Sequence, residues 1–348
     1  LTVDANCGRN VIRSFSMMNF AFVGCGNMAG WHAQELLRLP DVKIAAVVDP
    51  SPAAIAGFKT KHCPDAAEYE SLETLLLKNP VDLDAVVIVT PHTLHYQHAR
   101  LALGHGLHVL VEKPMVTSTA DAYDLWKAVN RSGRKLGITF QSPYTANFGW
   151  LADARDKGTL GKVHAINGWI SQGWGRNTIN TWRQNPALSG GGFIYDTGAH
   201  LLNAVMWLMN DPVVEVAAVL DSLDRPVDII GSVTMRFQGG AVASLTFAGD
   251  TPTFDNSLTM FTDQYTIQTD AYGKKLEMFG RDRAVFDHKV PASDAGTPHA
   301  NFVNAILGRE PLKAPVRYGV LLSALMDAIY KSAGAGTSVK VEPVPAEL

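Results

Sequence analysis

Cysteine is scarce: Cys7, Cys25 and Cys63 are the only three in 348 residues. An odd count without metal-type spacing supports neither a disulfide framework nor a zinc site, so no metal and a reducing, cytoplasmic setting are expected. Charge of one sign is also missing. With 30 Lys and Arg against 33 Asp and Glu, the formal charge of −3 offers no footprint for nucleic acid or an anionic membrane. No apolar run reaches the roughly 20 residues of a membrane span. The opening stretch carries Asp4, Arg9, Asn10 and Arg13 and lacks a signal-peptide core. Residues 1–18 read as an extension ahead of the first strand. Repeats and low-complexity linkers are absent. What remains is a chain with 47% hydrophobic residues, enough for two domains with substantial cores.

From residue 19 to 140, short apolar runs alternate with helix-length segments, the pattern of parallel strands joined by crossover helices. Strands are expected at Phe20–Val23, Lys43–Val48, Ala85–Val89, His108–Val111 and Leu136–Thr139, with helices at Met28–Leu39, Ser71–Leu77, Leu94–Gly104 and Thr119–Ser132. This half predicts a doubly wound α/β sheet. From 141 to 348 the strands lengthen and alternate, at Val163–Trp174, Val213–Leu220, Ile229–Phe237, Val242–Ala248 and Thr259–Thr269, with turns such as Gln238-Gly239-Gly240 between them. That texture predicts a second, α+β domain with a large, mainly antiparallel sheet. Helices at Pro298–Leu307 and Arg317–Ala333 and a short strand at Ser338–Glu342 close the chain, the last helix reaching back toward the first domain.

The first strand ends in Gly24-Cys25-Gly26-Asn27-Met28-Ala29 and enters a helix. Such a turn aims backbone N–H groups and a positive helix end at one point, which suits a pyrophosphate. Asp49 ends the second strand, where a carboxylate can accept both ribose hydroxyls. Pro50, Ser51 and Pro52 supply no cation for a 2′-phosphate, so NAD is expected ahead of NADP. Thr90, Pro91, His92 and His95 stand at the end of a later strand and should line the same cleft. His98 continues the spacing, but these three histidines mix loop with helix positions and do not converge as metal ligands.

Glu112-Lys113-Pro114 ends the next strand and brings an ammonium into the cleft, with Glu112 and Lys113 both expected to contact the cofactor beside its nicotinamide. Further on, Gly190-Gly191-Gly192 leads to Asp196-Thr-Gly-Ala-His200. Asp196 and His200 are four apart, so on a helix they would share a face, an acid orienting a base. The triple glycine allows close approach to the cofactor or the first domain.

Together, in this order, these motifs resemble the Gfo/Idh/MocA family of sugar and polyol dehydrogenases, over about residues 19–341. Leu160-Gly161, Trp182-Arg183 and the Asp327-Ala-Ile-Tyr330 stretch add to the likeness. The resemblance implies a Rossmann domain, then an open-sheet domain that pairs subunits as a homodimer or homotetramer. It also implies a catalytic group of Lys113, Asp196 and His200, with His200 as base and Asp196 orienting it. Tyr144, Trp174 and Trp182 are candidates to stack on a sugar ring, with Asn147, Asn180 and Arg183 as hydroxyl partners. Gln141-Ser142-Pro143-Tyr144 departs from the Arg-containing stretch many members carry, so the resemblance implies no arginine contact to the substrate on that side. Three readings follow: an NAD-dependent dehydrogenase of sugars, inositols or related polyols, a redox-neutral NAD-dependent glycoside hydrolase or lyase, and a non-catalytic NAD-binding regulator.

Overall fold

Uninterrupted β-branched and aliphatic runs bounded by capped helices give the first half its form. The structure is a computed structural model and describes residues 17–78, 82–285, 290 and 296–348; residues 1–16 of the expected extension lie outside them. In chain order come β1 (Met18–Val23), α1 (Asn27–Leu37), β2 (Val42–Val48), α2 (Pro52–His62), β3 (Ala67–Tyr69), α3 (Leu72–Lys78) and β4 (Ala85–Ile88). Then follow α4 (His95–Gly104), β5 (His108–Val111), α5 (Thr119–Ser132) and β6 (Leu136–Ile138). The six strands are all parallel in the order β3-β2-β1-β4-β5-β6. Every residue of β4 and β5 is buried, as a sheet covered on both faces requires. α5 shows why its ends were readable: Ser118 accepts from the Asp121 N–H at one end, and left-handed Gly133 closes the other. α2 went unread because it buries only Ile55 and Phe58, too few for a periodic signal, although Ser51 caps it and Pro52 opens it.

The second half contains α6 (Ala146–Asp156), β7 (Val163–Ser171), α7 (Trp174–Asn177), α8 (Pro186–Ser189), α9 (Gly198–Met209), β8 (Val213–Asp221) and β9 (Ile230–Phe237). It continues through β10 (Val242–Ala248), β11 (Asp255–Thr262), β12 (Thr266–Thr269), β13 (Leu276–Phe279), α10 (Pro298–Ile306), α11 (Val316–Ala335) and β14 (Val339–Lys340). Its eight strands run β13-β12-β11-β7-β10-β9-β8-β14, with β10 and β7 parallel and the other pairs antiparallel. The expected strand Thr259–Thr269 is a hairpin instead. Thr262 Oγ1 accepts from the Gln264 and Tyr265 N–H groups, turning the chain between β11 and β12. β7 stops at Ser171, and Trp174 begins α7 rather than ending a strand.

One face of the second sheet carries the buried residues Ile166, Ile170, Leu245, Phe247 and Met260. The opposite face leaves Trp169, Val219, Val242 and Phe261 exposed. α11 bridges the halves: Asp327 accepts from the Thr119 N–H at 2.9 Å, and the Ile138 N–H bonds the Ala314 carbonyl just ahead of the helix. No helix among the described residues is long and apolar enough to cross a membrane.

Candidate active site

Gly24 follows β1 with φ of +97°, and a Cβ there would stand 2.6 Å from the Val89 carbonyl oxygen. Only glycine fits that turn. At Gly26 the space is open, and no side chain caps α1 behind it, so the first N–H groups of the helix remain for an anion. Asn27 and Met28 are exposed beside this opening, while Ala29 is buried beneath. Asp49 accepts from the Cys25 N–H at 2.9 Å and the Ser51 N–H at 2.8 Å, one on each oxygen. Anchored in this way, the carboxylate keeps lone pairs for two ribose hydroxyls. The donor set therefore fits NAD. Cys25 itself is buried, and desolvation pushes its thiol up to about 12.

Two histidines expected to meet the cofactor are turned inward. His95 is fully buried, with its ring nitrogens 2.8 Å from the Pro114 and Thr90 carbonyl oxygens. His92 is buried with Nδ1 3.0 Å from the Ser189 carbonyl oxygen. Both brace the edge of the cleft from within, because burying a ring nitrogen without a partner is costly. His98 approaches Thr90 Oγ1, on the same residue whose carbonyl faces His95, so the three rings have separate partner atoms. Thr90 and Pro91 stay partly exposed. Glu112 also turns from the expected cofactor contact, bonding His32 and Thr139.

Lys113 reaches across to the second half. Its Nζ lies 2.6 Å from Asp196 Oδ1 and 3.2 Å from the Asp196 carbonyl oxygen. Asp196 Oδ2 accepts from Trp174 Nε1 and from Arg183 Nε, each at 2.9 Å. Burial opposes this carboxylate's charge, but Lys113 foremost and Arg183 behind it hold its pKa well below the usual carboxylate range. The expected Asp196–His200 pair does not form. Asp196 lies in the turn before α9, so the two are not stacked on one helical face, and the acid's bonds go to Lys113, Trp174 and Arg183. His200 is partly exposed, and desolvation, aided by Lys113, lowers its pKa to about 3, leaving a neutral ring.

The His200 ring packs 5.0 Å from Tyr272, which sequence reasoning missed. Tyr272 sits in the turn Asp270-Ala271-Tyr272-Gly273, where Asp270 accepts from the N–H groups of Tyr272, Lys274 and Lys275. An Asp followed three residues later by a left-handed Gly was the available signal for a rigid turn presenting an aromatic.

The sugar-stacking candidates separate. Tyr144 is buried, its hydroxyl 3.1 Å from Asn301 Oδ1 and its ring under Lys313, which leaves no face for a ligand. Trp174 is spent on Asp196, and Asn147 on the Gly273 carbonyl. Trp182 is half-buried, edge-on to His92 and beneath Arg183, so this pair lies beside the Lys113–Asp196 contact. Asn180 is exposed with positive φ. The triple glycine approaches protein rather than cofactor: a Cβ would strike Thr117 at Gly190, Tyr330 at Gly191 and the Asp228 backbone at Gly192.

A glycine turn and anchored acid on a parallel sheet, with a lysine salted to an acid from the turn before α9 in the half that carries the mixed sheet, define a two-part dinucleotide-binding protein. Residues 18–140 match the family model of the oxidoreductase family with NAD-binding Rossmann fold, and residues 149–268 match the GFO/IDH/MocA C-terminal domain. The chain belongs to the Gfo/Idh/MocA family. It is 29% identical over 234 residues to 1-carboxy-3-chloro-3,4-dihydroxycyclohexa-1,5-diene dehydrogenase of Comamonas testosteroni, covering 67% of this chain and 58% of that one. It is 27% identical over 206 residues to D-glucoside 3-dehydrogenase of Escherichia coli K12, covering 58% and 56%. The matches thus span somewhat over half the length of these curated relatives. Among solved structures, aldose-aldose oxidoreductase from Caulobacter crescentus, complexed with glycerol, shares 26% identity and a TM-score of 0.79 over 93% of this chain and 99% of that one. The WlbA dehydrogenase from Bordetella pertussis, in complex with NADH and UDP-GlcNAcA, shares the fold with a TM-score of 0.82 at 24% identity, covering 94% and 99%.

Proposed function

We propose that this chain is an NAD-dependent dehydrogenase that moves hydride between a secondary hydroxyl of a sugar or related polyol and the nicotinamide. The observation that carries the reading is the Lys113–Asp196 contact at 2.6 Å, made at the edge of the sheet that bears the NAD turn, with His200 neutral and partly exposed close by. When bound, NAD supplies the hydride acceptor. Lys113 donates to the substrate oxygen and stabilises negative charge as it grows there. His200 offers a free lone pair and takes the hydroxyl proton while the C–H bond yields its hydride and the carbonyl forms. Asp196 positions Lys113 rather than His200. Trp182 and Arg183 are the remaining sugar-facing candidates, and Tyr272 joins them.

Residues 19–140 serve as the cofactor domain and 141–348 as the substrate domain. The exposed face with Trp169, Val242 and Phe261 supports pairing with a second copy of the chain, and the free, buried Cys25 and Cys63 suit a reducing cytoplasm. Lys113→Met tests the chemistry. Turnover, followed as NADH formed from sugars, inositols and glycosides, should vanish while NAD binding persists. Retained turnover overturns the assignment, and glycoside cleavage without net NADH supports the redox-neutral reading.

A further inference from the structure

The proposed reaction leaves unused a buried row of titratable groups behind the cleft. His32, on the helix that the glycine turn opens, and His299, on α10, are both fully buried. His32 Nε2 lies 2.8 Å from Glu112 Oε1, and His32 Nδ1 lies 2.8 Å from His299 Nε2. Thr139 Oγ1 donates to the same Glu112 oxygen at 2.6 Å. Beyond His299 the row ends: its Nδ1 is buried without a hydrogen-bond partner among the described residues. Residues far apart in sequence therefore converge on one carboxylate, His32 and Thr139 directly and His299 through His32, and that carboxylate belongs to the residue next to Lys113.

The end of the row sets the direction of its hydrogens. Thr139 and His32 must both donate, because Glu112 as a carboxylate only accepts. A neutral His32 that donates through Nε2 must accept through Nδ1, so His299 donates through Nε2 and its orphan Nδ1 is a bare lone pair. The alternative, a charged His32, would leave a buried N–H on His299 without an acceptor, and desolvation already lowers the His299 pKa to about 3.

We propose that His32, backed by His299, is a positioning residue that keeps Glu112 ionised and fixed beside Lys113. The lysine is thus flanked by two held carboxylates, Glu112 on its own strand end and Asp196 from the second half, and stays a charged donor to the substrate oxygen. The inference rests on the dehydrogenase reading for what Lys113 does, but not for the charge on Glu112. The charged or titratable groups facing Glu112 are His32 from α1, His299 from α10, Lys113 beside it, His95 from α4 and His200 from α9. Burial favours the protonated acid, and His32, Lys113 and Thr139 outweigh it.

Two variants separate this role from plain packing. His32→Leu removes the donor, so burial raises the Glu112 pKa; His32→Gln restores an N–H at the Nε2 position. Both lack the imidazole, so its own titration cancels between them. Melting temperatures need no substrate: the deficit of His32→Leu relative to His32→Gln should widen as pH rises from about 5 to about 8, as an unsupported carboxylate loses its proton. In turnover, the acid limb of kcat/KM should move up by about one pH unit in His32→Leu and return in His32→Gln. A pH-independent gap overturns the charge-holding role, whatever the reaction proves to be. A widening gap with an unmoved acid limb overturns the link to Lys113. If His32→Leu does not fold, Thr139→Val, which removes the other donor to the same oxygen, should move the acid limb in the same direction, and an unmoved limb overturns the proposal.

Discussion

Asp196 shows how far a single residue's role depends on its neighbours. Its place four before His200 suggested a helical pair, yet its oxygens are divided among Lys113, Trp174 and Arg183. Trp174, expected against a sugar ring, becomes a donor to that acid. Trp174→Phe keeps an aromatic ring at the site but removes the N–H together with the second ring of the indole, so it should cost about 1.5–3 kcal/mol in transition-state stabilisation, roughly 10- to 150-fold in kcat/KM, with NADH affinity unchanged. Steady-state kinetics alongside NADH fluorescence titration check it; unaltered kcat/KM would mean that Asp196 needs only its two cations. The motif residues Gly24, Asp49, Lys113 and Asp196 were legible because each needs a particular backbone or charge. The partners of Asp196 were not, since tertiary packing alone brings Trp174 and Arg183 to it.

Among the elements, the segment that delivers Asp196 is not a regular helix but a pinned turn. Asp228, ahead of β9, accepts from the Gly192 N–H at 2.7 Å, the Ile194 N–H at 3.0 Å and the Tyr330 hydroxyl of α11. Asp228→Ala strands these donors in the interior and should destabilise the fold by about 3 kcal/mol, read by urea unfolding. Loss of activity should accompany it; full stability would show that water replaces the carboxylate. Helices and strands with strong periodicity were readable, α5 to the residue. α2 and the β11–β12 hairpin were not: the first buries too little apolar surface, and the second depends on Thr262 folding back on its own backbone.

Across the whole molecule, burial sets the response to acid. His92, His200 and His299 have pKa values lowered to about 3, and His98 and His108 to about 4, chiefly by desolvation. In the unfolded chain they titrate near 6.5. Below that value the unfolded chain binds protons that the native one refuses, so stability falls as pH drops from about 6.5 toward the folded values. Asp196 and Glu112, held low in the folded state, contribute stability above their unfolded values that is lost on further acidification. The melting temperature should therefore decline steadily from about pH 7 to about pH 4. A rise over that interval would mean that these histidines are charged in the native state.

The parallel contact between β7 and β10 carries a consequence for the order of assembly. Residues 165–171 must wait for residues 242–248 before the middle of the second sheet can form, whereas β1 of the first sheet pairs early with β2 and only its other contact, residue 20 with residue 85 of β4, is comparably distant. Closing that long loop sacrifices chain entropy before any pairing repays it. A chain emerging from the ribosome can thus order its cofactor turn early, while β7 stays an unpaired edge until the strands on either side of it have been made.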